Sequence, residues 1–391
     1  MNYHIMIDDK FIDGFINDSE NVSIKNINRY FIRGLKKNAL YVNHPKAEWV
    51  GDVGSDDFRN ILNRITDKDK IFVHWYDLCI GKLMLTIDKN IPLYVVYWGG
   101  EFYEDPFPYH IDWICDAITR QYVKKAYIFP GQWPKHPIKI LKHLWWLLNY
   151  KNINKKEFEL KRLTVRRINY LLLDPNLFSA DFDKIKSIYE LNELHGLPFV
   201  YNQNFDLANE LRTVKIKDDK INVQIGNSAN ESNNHADCIK ALEKFNNKNI
   251  KIILPLSYGA LNYAEFVKKY CLKTFLNKCE FIEKFMSRIE YVEKLKEVDV
   301  AVMFHNRSQA FGNCITLLTL GKKLYIKSDN PFSQLFQKVG IVVFDAKTIK
   351  DITFEEFSRP LTDRQIQSNI EKISNLFSEK RRLEDLSNLL N

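Results

Sequence analysis

The sequence lacks the features that mark several classes of protein. Its six cysteines form no CxxC pair and follow no regular spacing, unlike those of a disulfide framework or a zinc site. No stretch approaches about 18 uninterrupted apolar residues, so no membrane-spanning helix is predicted. No segment near Met1 joins a basic region, an apolar core and a small-residue cleavage site. These absences indicate a cytoplasmic protein with reduced thiols, and they argue against a secreted or integral membrane protein.

The composition is that of a globular protein long enough for two domains. The chain has 391 residues, of which 45% are hydrophobic and 27% are charged. Its net charge of +8 is unevenly placed along the sequence. Residues 133–167 contain ten Lys or Arg residues and two Glu residues, so this segment alone carries a net charge equal to that of the whole chain.

The basic segment 133–167 is also rich in aromatic and aliphatic residues. Trp145 and Trp146 lie among leucines and isoleucines, and Lys139 and Lys142 precede them. A basic, aromatic and amphipathic segment is typical of a surface that docks on an anionic membrane. The alternative is a solvated basic loop beside a helix whose tryptophans are core residues. No known nucleic-acid motif accompanies the charge, so binding to nucleic acid is not expected.

Apolar runs alternate with helical patterns along the chain. Strands are predicted at residues 4–7, 39–42, 71–74, 93–97, 126–129, 221–225, 251–254, 300–304, 323–326 and 341–344. This alternation predicts an α/β fold with mostly parallel sheets and helices on both faces. Because the two halves repeat the same rhythm, we expect two facing Rossmann-like domains, at 1–205 and 206–360, followed by a helical segment at 361–391.

Four loops that follow predicted strands carry polar or glycine-rich sequence. Three lie in the C-terminal half, at residues 226–235, 255–259 and 305–313, and one lies at residues 98–103. Ligands of doubly wound sheets bind beyond the carboxyl ends of the strands, often between domains. In the first loop, a glycine permits a tight exit from the strand, and Asn and Ser residues precede a helix whose N–H groups favour an anion. This loop suits a phosphate or diphosphate; the alternative is an ordinary capped turn.

Three short motifs occur together in the C-terminal half: Gly226-Asn227-Ser228, Asn234-His235 and Asp329-Asn330-Pro331-Phe332. Their combination resembles the bacterial transferases that add 4-acetamido-4,6-dideoxygalactose (Fuc4NAc) to a lipid-linked disaccharide of enterobacterial common antigen. The similarity covers residues 223–239, 252–259, 288–304 and 308–332, with residues 98–103 also matching. The sequence departs from the family around 133–167, a segment that bears on the acceptor. The resemblance implies the GT-B fold, a dTDP-sugar donor bound by the C-terminal domain, and no metal or cofactor.

The resemblance also implies which residues contact the substrates. The N-terminal domain would bind the acceptor. The residues implied for the donor are Gly226, Asn227, Ser228, Asn234, His235, Tyr258, Ser308, Gln309, Gly312, Asn313 and Asn330. The loop residues would contact the diphosphate or sugar, and Tyr258 would pack on the base. The alternatives are a plain helix cap for residues 309–313 and a structural role for His235.

Glycosyl transfer with inversion needs a base that takes the acceptor proton and groups that neutralise the leaving diphosphate. Glu101 is the predicted base, because it follows two glycines at a strand exit where a carboxylate can be raised towards a ligand. His74 and Asp77, at the neighbouring strand exit, are the alternatives. The sequence Asp181-Phe182-Asp183 is formally a metal-binding DxD pattern, but its place at a helix start favours capping.

The sequence therefore predicts a metal-independent glycosyltransferase at the inner face of the cell membrane, with a nucleotide sugar and a lipid-linked saccharide as its partners. A nucleotide-sugar epimerase on the same scaffold is one alternative, because a fold does not fix a function. A non-catalytic protein that binds sugar nucleotides or polyanions is another.

Overall fold

A computed structural model of the chain describes residues 1–104, 107–128, 137–202, 205–212 and 220–391. These residues belong to two compact units, each built on one sheet. The first unit contains Met1–Tyr109, Asn149–Asn202 and Glu379–Asn391, and the second contains His110–Leu148 and Gln203–Ser378.

The first unit is built on a parallel seven-stranded sheet. Its strands are β1 (Asn2–Met6), β2 (Asn28–Ile32), β3 (Ala47–Trp49), β4 (Lys70–Val73), β5 (Leu93–Val96), β6 (Tyr170–Leu172) and β7 (His195–Leu197). Their spatial order is β3-β2-β1-β4-β5-β6-β7, and all neighbouring pairs are parallel. Every residue of β1 is buried, as expected for a central strand that is covered on both faces.

Among the described residues before β7 there are eight α-helices. They are α1 (Ile12–Val22), α2 (Asp56–Leu62), α3 (Leu78–Met84), α4 (Gly100–Tyr103), α5 (Phe107–Ile114), α6 (Ala117–Ile128), α7 (Pro137–Val165) and α8 (Ser179–Tyr189). The N-termini of α2 and α3 are capped by Ser55 and Asp77, whose side chains each accept a backbone N–H of the first turn.

The second unit is built on a parallel six-stranded sheet. Its strands are β8 (Ile221–Ile225), β9 (Ile250–Pro255), β10 (Cys279–Ile282), β11 (Val300–Met303), β12 (Lys323–Ile326) and β13 (Phe344–Asp345). Their order is β10-β9-β8-β11-β12-β13. Val223, Ile225, Ile252, Leu254 and Val302 are fully buried in this sheet. Burial of one such side chain contributes about 1.5–3 kcal/mol to folding.

The remaining helices are α9 (Phe205–Glu210), α10 (His235–Leu242), α11 (Leu261–Phe275), α12 (Arg288–Lys296), α13 (Phe311–Thr319), α14 (Pro331–Lys338), α15 (Phe354–Ser358), α16 (Asp363–Phe377) and α17 (Glu379–Leu390). In each sheet the strand order reverses beside the first strand, between β1 and β4 and between β8 and β11. The loops after these strands are where ligands of such sheets bind. The predicted α/β class with parallel sheets is confirmed.

The two units divide the chain differently from the expected three consecutive parts. The last helix, α17, belongs to the first unit, where Arg382 pairs with Asp18 at 2.6 Å and Asn2 donates to the Leu390 carbonyl at 3.0 Å. Residues 110–148 belong to the second unit. Asp237 on α10 accepts the N–H groups of Ile118 and Thr119, and so caps α6.

Two of the strands predicted from the sequence are wrong. Residues 126–128 continue α6, and residues 39–42 form no strand. The sequence of residues 126–128 is compatible with a strand, but the cap that Asp237 provides starts a helix that runs through them.

Candidate functional site

The site in the second unit begins where β8 ends. Gly226 has a φ of 65°, and its N–H donates to the Val302 carbonyl at the end of β11. A Cβ added at Gly226 would lie 2.6 Å from Asn233 Oδ1 and 2.7 Å from His235 Nε2. Only glycine fits this position, because both the backbone angle and the two neighbouring side chains exclude a larger residue.

The buried Asn233 side chain holds this loop together. Its Oδ1 accepts the Asn227 N–H and a hydrogen from His305 Nε2, both at 2.9 Å. Its Nδ2 donates to Ser228 Oγ at 3.2 Å and to the Asn230 carbonyl at 3.0 Å. One amide therefore links the loop after β8 to the loop after β11.

Asn234 starts α10 in a left-handed conformation, with a φ of 53°. Its Oδ1 accepts the Asp116 N–H at 2.8 Å, and its Nδ2 donates to the carbonyls of Ile114 (3.1 Å) and Phe304 (3.2 Å). These bonds use both hydrogens of a fully buried amide. The geometry favours a positioning role for Asn234 over the predicted contact with a substrate.

Two fully buried histidines, His235 and His305, lie beside Gly226 and Asn233. Burial lowers the pKa of His235 to about 3. It also lowers the pKa of His305 well below the usual value, and the charges of Arg307 and Lys327 act in the same direction. Both rings are therefore neutral at pH 7. Within the described residues, both ring nitrogens of His235 lack a hydrogen-bond partner, and so does Nδ1 of His305. Buried polar atoms of this kind point to a site that receives a polar group.

A ring of polar side chains forms the rim of the site. Asn227 Nδ2 donates to the Tyr258 hydroxyl at 2.9 Å, and Gln309 Nε2 lies 3.4 Å from Asn227 Oδ1. The Ser232 hydroxyl donates to Gln309 Oε1 at 2.6 Å. Tyr258 is 41% exposed, so its ring is available to a planar group. The fold thus brings four polar residues of these loops together. The sequence predicted three of them, Asn227, Tyr258 and Gln309, but not Ser232.

The N-terminus of α13 follows the loop after β11. Ala310 precedes the helix in a left-handed conformation, with a φ of 62°. Gly312 and Asn313 lie in the first turn, where backbone N–H groups have no partner within the helix. The Asn313 Oδ1 accepts the Tyr291 hydroxyl at 2.6 Å. This helix start adds positive dipole to the site.

Two buried cations lie in the same loops. Arg307 is 5% exposed, donates to the Ser308 carbonyl at 2.6 Å and approaches Ser232 Oγ at 3.5 Å. Lys327 is 3% exposed, forms an ion pair with Asp116 and donates to Asn306 Oδ1 at 2.6 Å. Asp116 therefore neutralises Lys327, and the Arg307 guanidinium lies beside the polar rim.

The predicted Asn330 lies behind this loop. Its Nδ2 donates to the carbonyls of His305 (3.1 Å) and Arg307 (2.7 Å), and its Oδ1 accepts the Phe332 N–H and caps α14. Asn330 thus fixes the backbone that carries His305 and Arg307.

Sequence reasoning missed Ser232, Asn233, His305, Asn306, Arg307 and Lys327. The sequence indicated these residues only by their position, because all of them lie in or beside loops that follow strands. Their pairings join loops far apart in the sequence, and no spacing rule reveals such contacts.

The predicted base Glu101 lies in the first unit. It is fully buried in the first turn of α4, and its Oε1 accepts the Trp98 N–H at 2.7 Å. Gly99, with a φ of 92°, precedes this helix. The glycine pair thus makes the tight turn that was expected. The catalytic role of Glu101 stays a prediction.

The two alternative bases have structural partners in the same unit. His74 contacts His4 at 3.1 Å and the Tyr201 hydroxyl at 2.5 Å, and burial lowers its pKa well below the usual value. Asp77 caps α3 and pairs with Arg33 at 2.7 Å. These contacts occupy both nitrogens of His74 and both oxygens of Asp77.

The structure describes only part of the predicted membrane-binding and metal-binding features. The side chains of Lys139, Lys142, Trp145 and Trp146 lie outside the part of the chain that the structure describes. Asp181 lies in the first turn of α8, and its carboxylate accepts the hydroxyls of Tyr97 (2.6 Å) and Tyr103 (2.7 Å). Among the described residues, no three His, Cys, Asp or Glu side chains are grouped as a metal site.

The described helices also bear on the membrane prediction. None of them combines the length and the apolar character that a bilayer-crossing helix needs. Within the basic segment 133–167, Lys161 is buried and donates to the Tyr76 carbonyl, and Arg162 pairs with Glu159 and Glu190. Arg167 donates to the carbonyls of Asp88 and Ile91. Part of the basic charge therefore serves the fold of the first unit.

Solved structures similar to this chain share its fold. The sucrose-phosphate synthase of Thermosynechococcus elongatus has 8% identical residues and a TM-score of 0.62, over 100% of this chain and 98% of that one. The trehalose-6-phosphate phosphatase N-terminal domain of Candida albicans has 9% identity and a TM-score of 0.59, over 100% and 95%. An alpha,alpha-trehalose-phosphate synthase (UDP-forming) of Burkholderia vietnamiensis has 8% identity and a TM-score of 0.58, over 100% and 98%. At these identities the likeness concerns the fold, which is GT-B, with two Rossmann-like domains.

More than half of the chain matches one protein family in sequence. This family is described as 4-alpha-L-fucosyltransferase, glycosyl transferase group 56, and its match covers residues 138–377. The match includes the loops after β8, β9, β11 and β12 that build the site of the second unit. The chain therefore belongs to the glycosyl transferase group 56 family and is a glycosyltransferase of the GT-B fold.

Proposed function

We propose that this glycosyltransferase moves a deoxyamino sugar such as Fuc4NAc from a dTDP-type donor to a lipid-linked saccharide in cell-surface polysaccharide synthesis. The motifs at residues 226–228, 234–235 and 329–332 support this proposal through their resemblance to the Fuc4NAc transferases. The description of the matching family as a fucosyltransferase supports the same sugar class. Fucose is 6-deoxygalactose, and Fuc4NAc is its 4-acetamido relative.

The observation that carries the donor assignment is the convergence of Arg307, two helix starts and a polar rim in the second unit. A diphosphate needs N–H donors and positive charge, and helix N-termini and a guanidinium supply both. Asn227, Ser228 and Gln309 would bind the diphosphate or the sugar, and Tyr258 would pack on the thymine. The buried ring nitrogens of His235 and His305 add polar groups behind Gly226.

The reaction is a displacement at the anomeric carbon. The acceptor hydroxyl oxygen bonds to that carbon, the bond from the carbon to the phosphate oxygen breaks, and dTDP leaves with the electron pair. Arg307 and the start of α13 would stabilise the charge that develops on the leaving phosphate. The acceptor proton would pass to a base, a role that we assign to Glu101.

With a lipid-linked acceptor, the enzyme would work at the inner face of the cell membrane. The described part of α7 supports this assignment. In the part of α7 that belongs to the first unit, Leu163 is 51% exposed, and Lys155 and Lys156 are exposed as well. An apolar side chain together with exposed cations suits an anionic leaflet.

A thermal-shift panel of dTDP, UDP and GDP tests the donor assignment. A nucleotide at 100 times its Kd stabilises the state that it binds by about 2.7 kcal/mol, and we expect dTDP to raise the melting temperature most. Arg307→Met should abolish this shift, whereas Arg364→Met, on the exposed side of α16, should keep it. A preference for UDP or GDP would contradict the dTDP donor.

Product analysis by mass spectrometry tests the reaction. With dTDP-Fuc4NAc and a lipid-linked saccharide, we expect the acceptor to gain the sugar and dTDP to be released. An epimerised nucleotide sugar formed without acceptor would identify an epimerase instead. Tight dTDP binding without turnover on any lipid-linked acceptor would identify a binding protein.

A further inference from the structure

Two thiols meet at one edge of the second unit's sheet, outside the residues assigned to the reaction. Cys271 lies in the last turns of α11, and Cys279 is the first residue of β10. Their Sγ atoms are 2.8 Å apart. If the distance between the two sulfurs shortened by about 0.8 Å, it would equal the length of a disulfide bond.

Regular structure holds both cysteines in place. Cys271 is fully buried on the face of α11 that also buries Val267 and Phe275 against the sheet. Cys279 pairs with Ile252 of the neighbouring strand β9. The contact between the two sulfurs is therefore fixed by the packing of α11 and by the register of β10.

The connection between the two cysteines is tight and strained. Leu276 follows α11 with a φ of 54° and a ψ of −127°, in a region that residues with a side chain rarely adopt. Its side chain is 68% exposed, so packing does not offset the strain. A covalent link across residues 272–278 would hold this turn closed.

The two thiols differ in reactivity. The hydrogen bond with Cys279 and burial raise the pKa of Cys271. The same hydrogen bond lowers the pKa of Cys279, which is partly exposed, although partial burial opposes the effect. Because the thiolate is the nucleophile, Cys279 is the thiol that an oxidant reaches first.

We propose that Cys271 and Cys279 form a reversible redox site that peroxide oxidises to a disulfide. The Cys279 thiolate attacks one peroxide oxygen, the O–O bond breaks, and protonation of the released hydroxide gives water and a sulfenic acid. The Cys271 thiol then bonds to that sulfur, its proton joins the departing hydroxyl, and a second water leaves. Both sulfurs are oxidised by one electron each, and peroxide is reduced to two waters. A dithiol reductant reverses the step by thiol–disulfide exchange.

The test treats the full-length protein with hydrogen peroxide and then alkylates the remaining thiols. We expect the intact mass before alkylation to fall by two hydrogen atoms, and four of the six cysteines to be alkylated after denaturation. Peptide mapping should find Cys271 joined to Cys279. The melting temperature should rise by about 5 °C, because the link restricts the unfolded chain, and a dithiol should restore the starting value.

Matched variants separate the pair from other thiols. Cys79→Ser removes an exposed cysteine and should leave the disulfide and the rise in melting temperature unchanged. Cys279→Ser should abolish both. In Cys271→Ser, whose hydroxyl can still hydrogen-bond Cys279, the sulfenic acid of Cys279 should persist and be trapped by dimedone, since its resolving thiol is missing.

Three outcomes would overturn the proposal. One is full alkylation of all six cysteines after peroxide, and another is a bridge from Cys271 to the buried Cys238 of α10. The third is oxidation of Cys79 with both Cys271 and Cys279 still reduced.

Discussion

Asn233 connects two loops of the second unit through one side-chain amide. Its Oδ1 accepts from the Asn227 backbone and from His305, and its Nδ2 donates to Ser228 and to the Asn230 carbonyl. All the hydrogen-bonding atoms of this buried amide are used, as a buried polar group requires. Asn233 therefore shapes the site without needing to contact a ligand.

At the residue scale, Glu101→Gln tests the assignment of the base. Glutamine keeps an oxygen that can accept the Trp98 N–H, so the turn after β5 should be preserved. The carboxylate is lost, and turnover should fall by about 10²–10⁴-fold while dTDP affinity changes little. Steady-state kinetics and nucleotide titration measure the two effects.

Glu104→Gln, three residues further along, is the control for this experiment and should retain turnover. Near-normal turnover in Glu101→Gln would exclude Glu101 as the base. A loss of melting temperature equal to that of Glu101→Ala would show that the carboxylate acts in folding alone.

Asp116→Ala tests the ion pair behind the site, in which Lys327 is buried and Asp116 is partly exposed. The substitution leaves Lys327 without its carboxylate partner, and an uncompensated buried charge costs about 3 kcal/mol in the free energy of unfolding. Urea denaturation should detect this loss. Asp112→Ala breaks an exposed pair with Lys124 and should change the stability by less than about 0.5 kcal/mol.

The double variant Asp116→Ala, Lys327→Met sharpens this test. It removes both charges, so it should be more stable than Asp116→Ala alone. A double variant as unstable as the sum of the two single variants would show that the pair has no coupling.

At the element scale, several of the strands were predictable from the sequence. The predicted strands at 221–225 and 323–326 match β8 and β12 residue for residue. The short strands β2, β3, β6, β7 and β10 were not predicted, and neither was helix α1. These strands have three to five residues, which carry little periodicity of their own, and their pairing with a neighbouring strand defines them.

The placement of elements in the two units depends on contacts between distant residues. Asp237 caps α6 across more than a hundred positions, and Arg382 of α17 pairs with Asp18 of α1. The same limit applies to the site. The loops were found because each follows a strand, but the link from Asn233 to His305 exists only in the folded protein.

The exposed lysines of α7 give the membrane assignment a test at the element scale. Lys155→Ala, Lys156→Ala removes two exposed cations, each worth about 1 kcal/mol near an anionic leaflet, so binding to anionic vesicles should fall about tenfold or more. Vesicle sedimentation at low salt measures the change, and added salt should weaken the wild type too.

Lys36→Ala, Lys37→Ala, which also removes two exposed cations, should leave vesicle binding intact. Equal losses in both double variants would indicate a general charge effect instead of docking through α7. Absence of wild-type binding to anionic vesicles at low salt would contradict the membrane assignment.

At the scale of the whole molecule, each unit contains a pair of buried neutral histidines. His4 and His74 contact each other in the first unit, and His235 and His305 lie beside Gly226 and Asn233 in the second. Burial lowers the pKa of His4 and of His235 to about 3, and it lowers the pKa of His74 and His305 well below 6.5. All four rings stay neutral in the folded protein under conditions where they are protonated in the unfolded chain.

These histidines predict a loss of stability between pH 6.5 and pH 5. Above about pH 7.5 they are neutral in both states and contribute almost nothing to the pH dependence. Below about pH 6.5, the unfolded chain binds protons that the folded protein does not, and each histidine costs about 1.4 kcal/mol per pH unit. Most carboxylates of the unfolded chain remain ionised in this window, since their pKa values lie near 4. Acid protonation of Asp and Glu therefore does not explain the loss.

Hydrogen exchange resolved by peptide measures this effect in each unit separately. From pH 7.5 to pH 5.5, the free energy of opening should fall by roughly 3 kcal/mol in the strands of each sheet, after correction for the intrinsic exchange rate. His235→Gln should halve the fall in β8 and β11 and leave β1 and β4 unchanged. His195→Gln, at an exposed position, should alter neither sheet. Wild-type strands whose opening energy is the same at both pH values would mean that these histidines are not held neutral, because the unfolded chain must take up the protons that the folded sheets exclude.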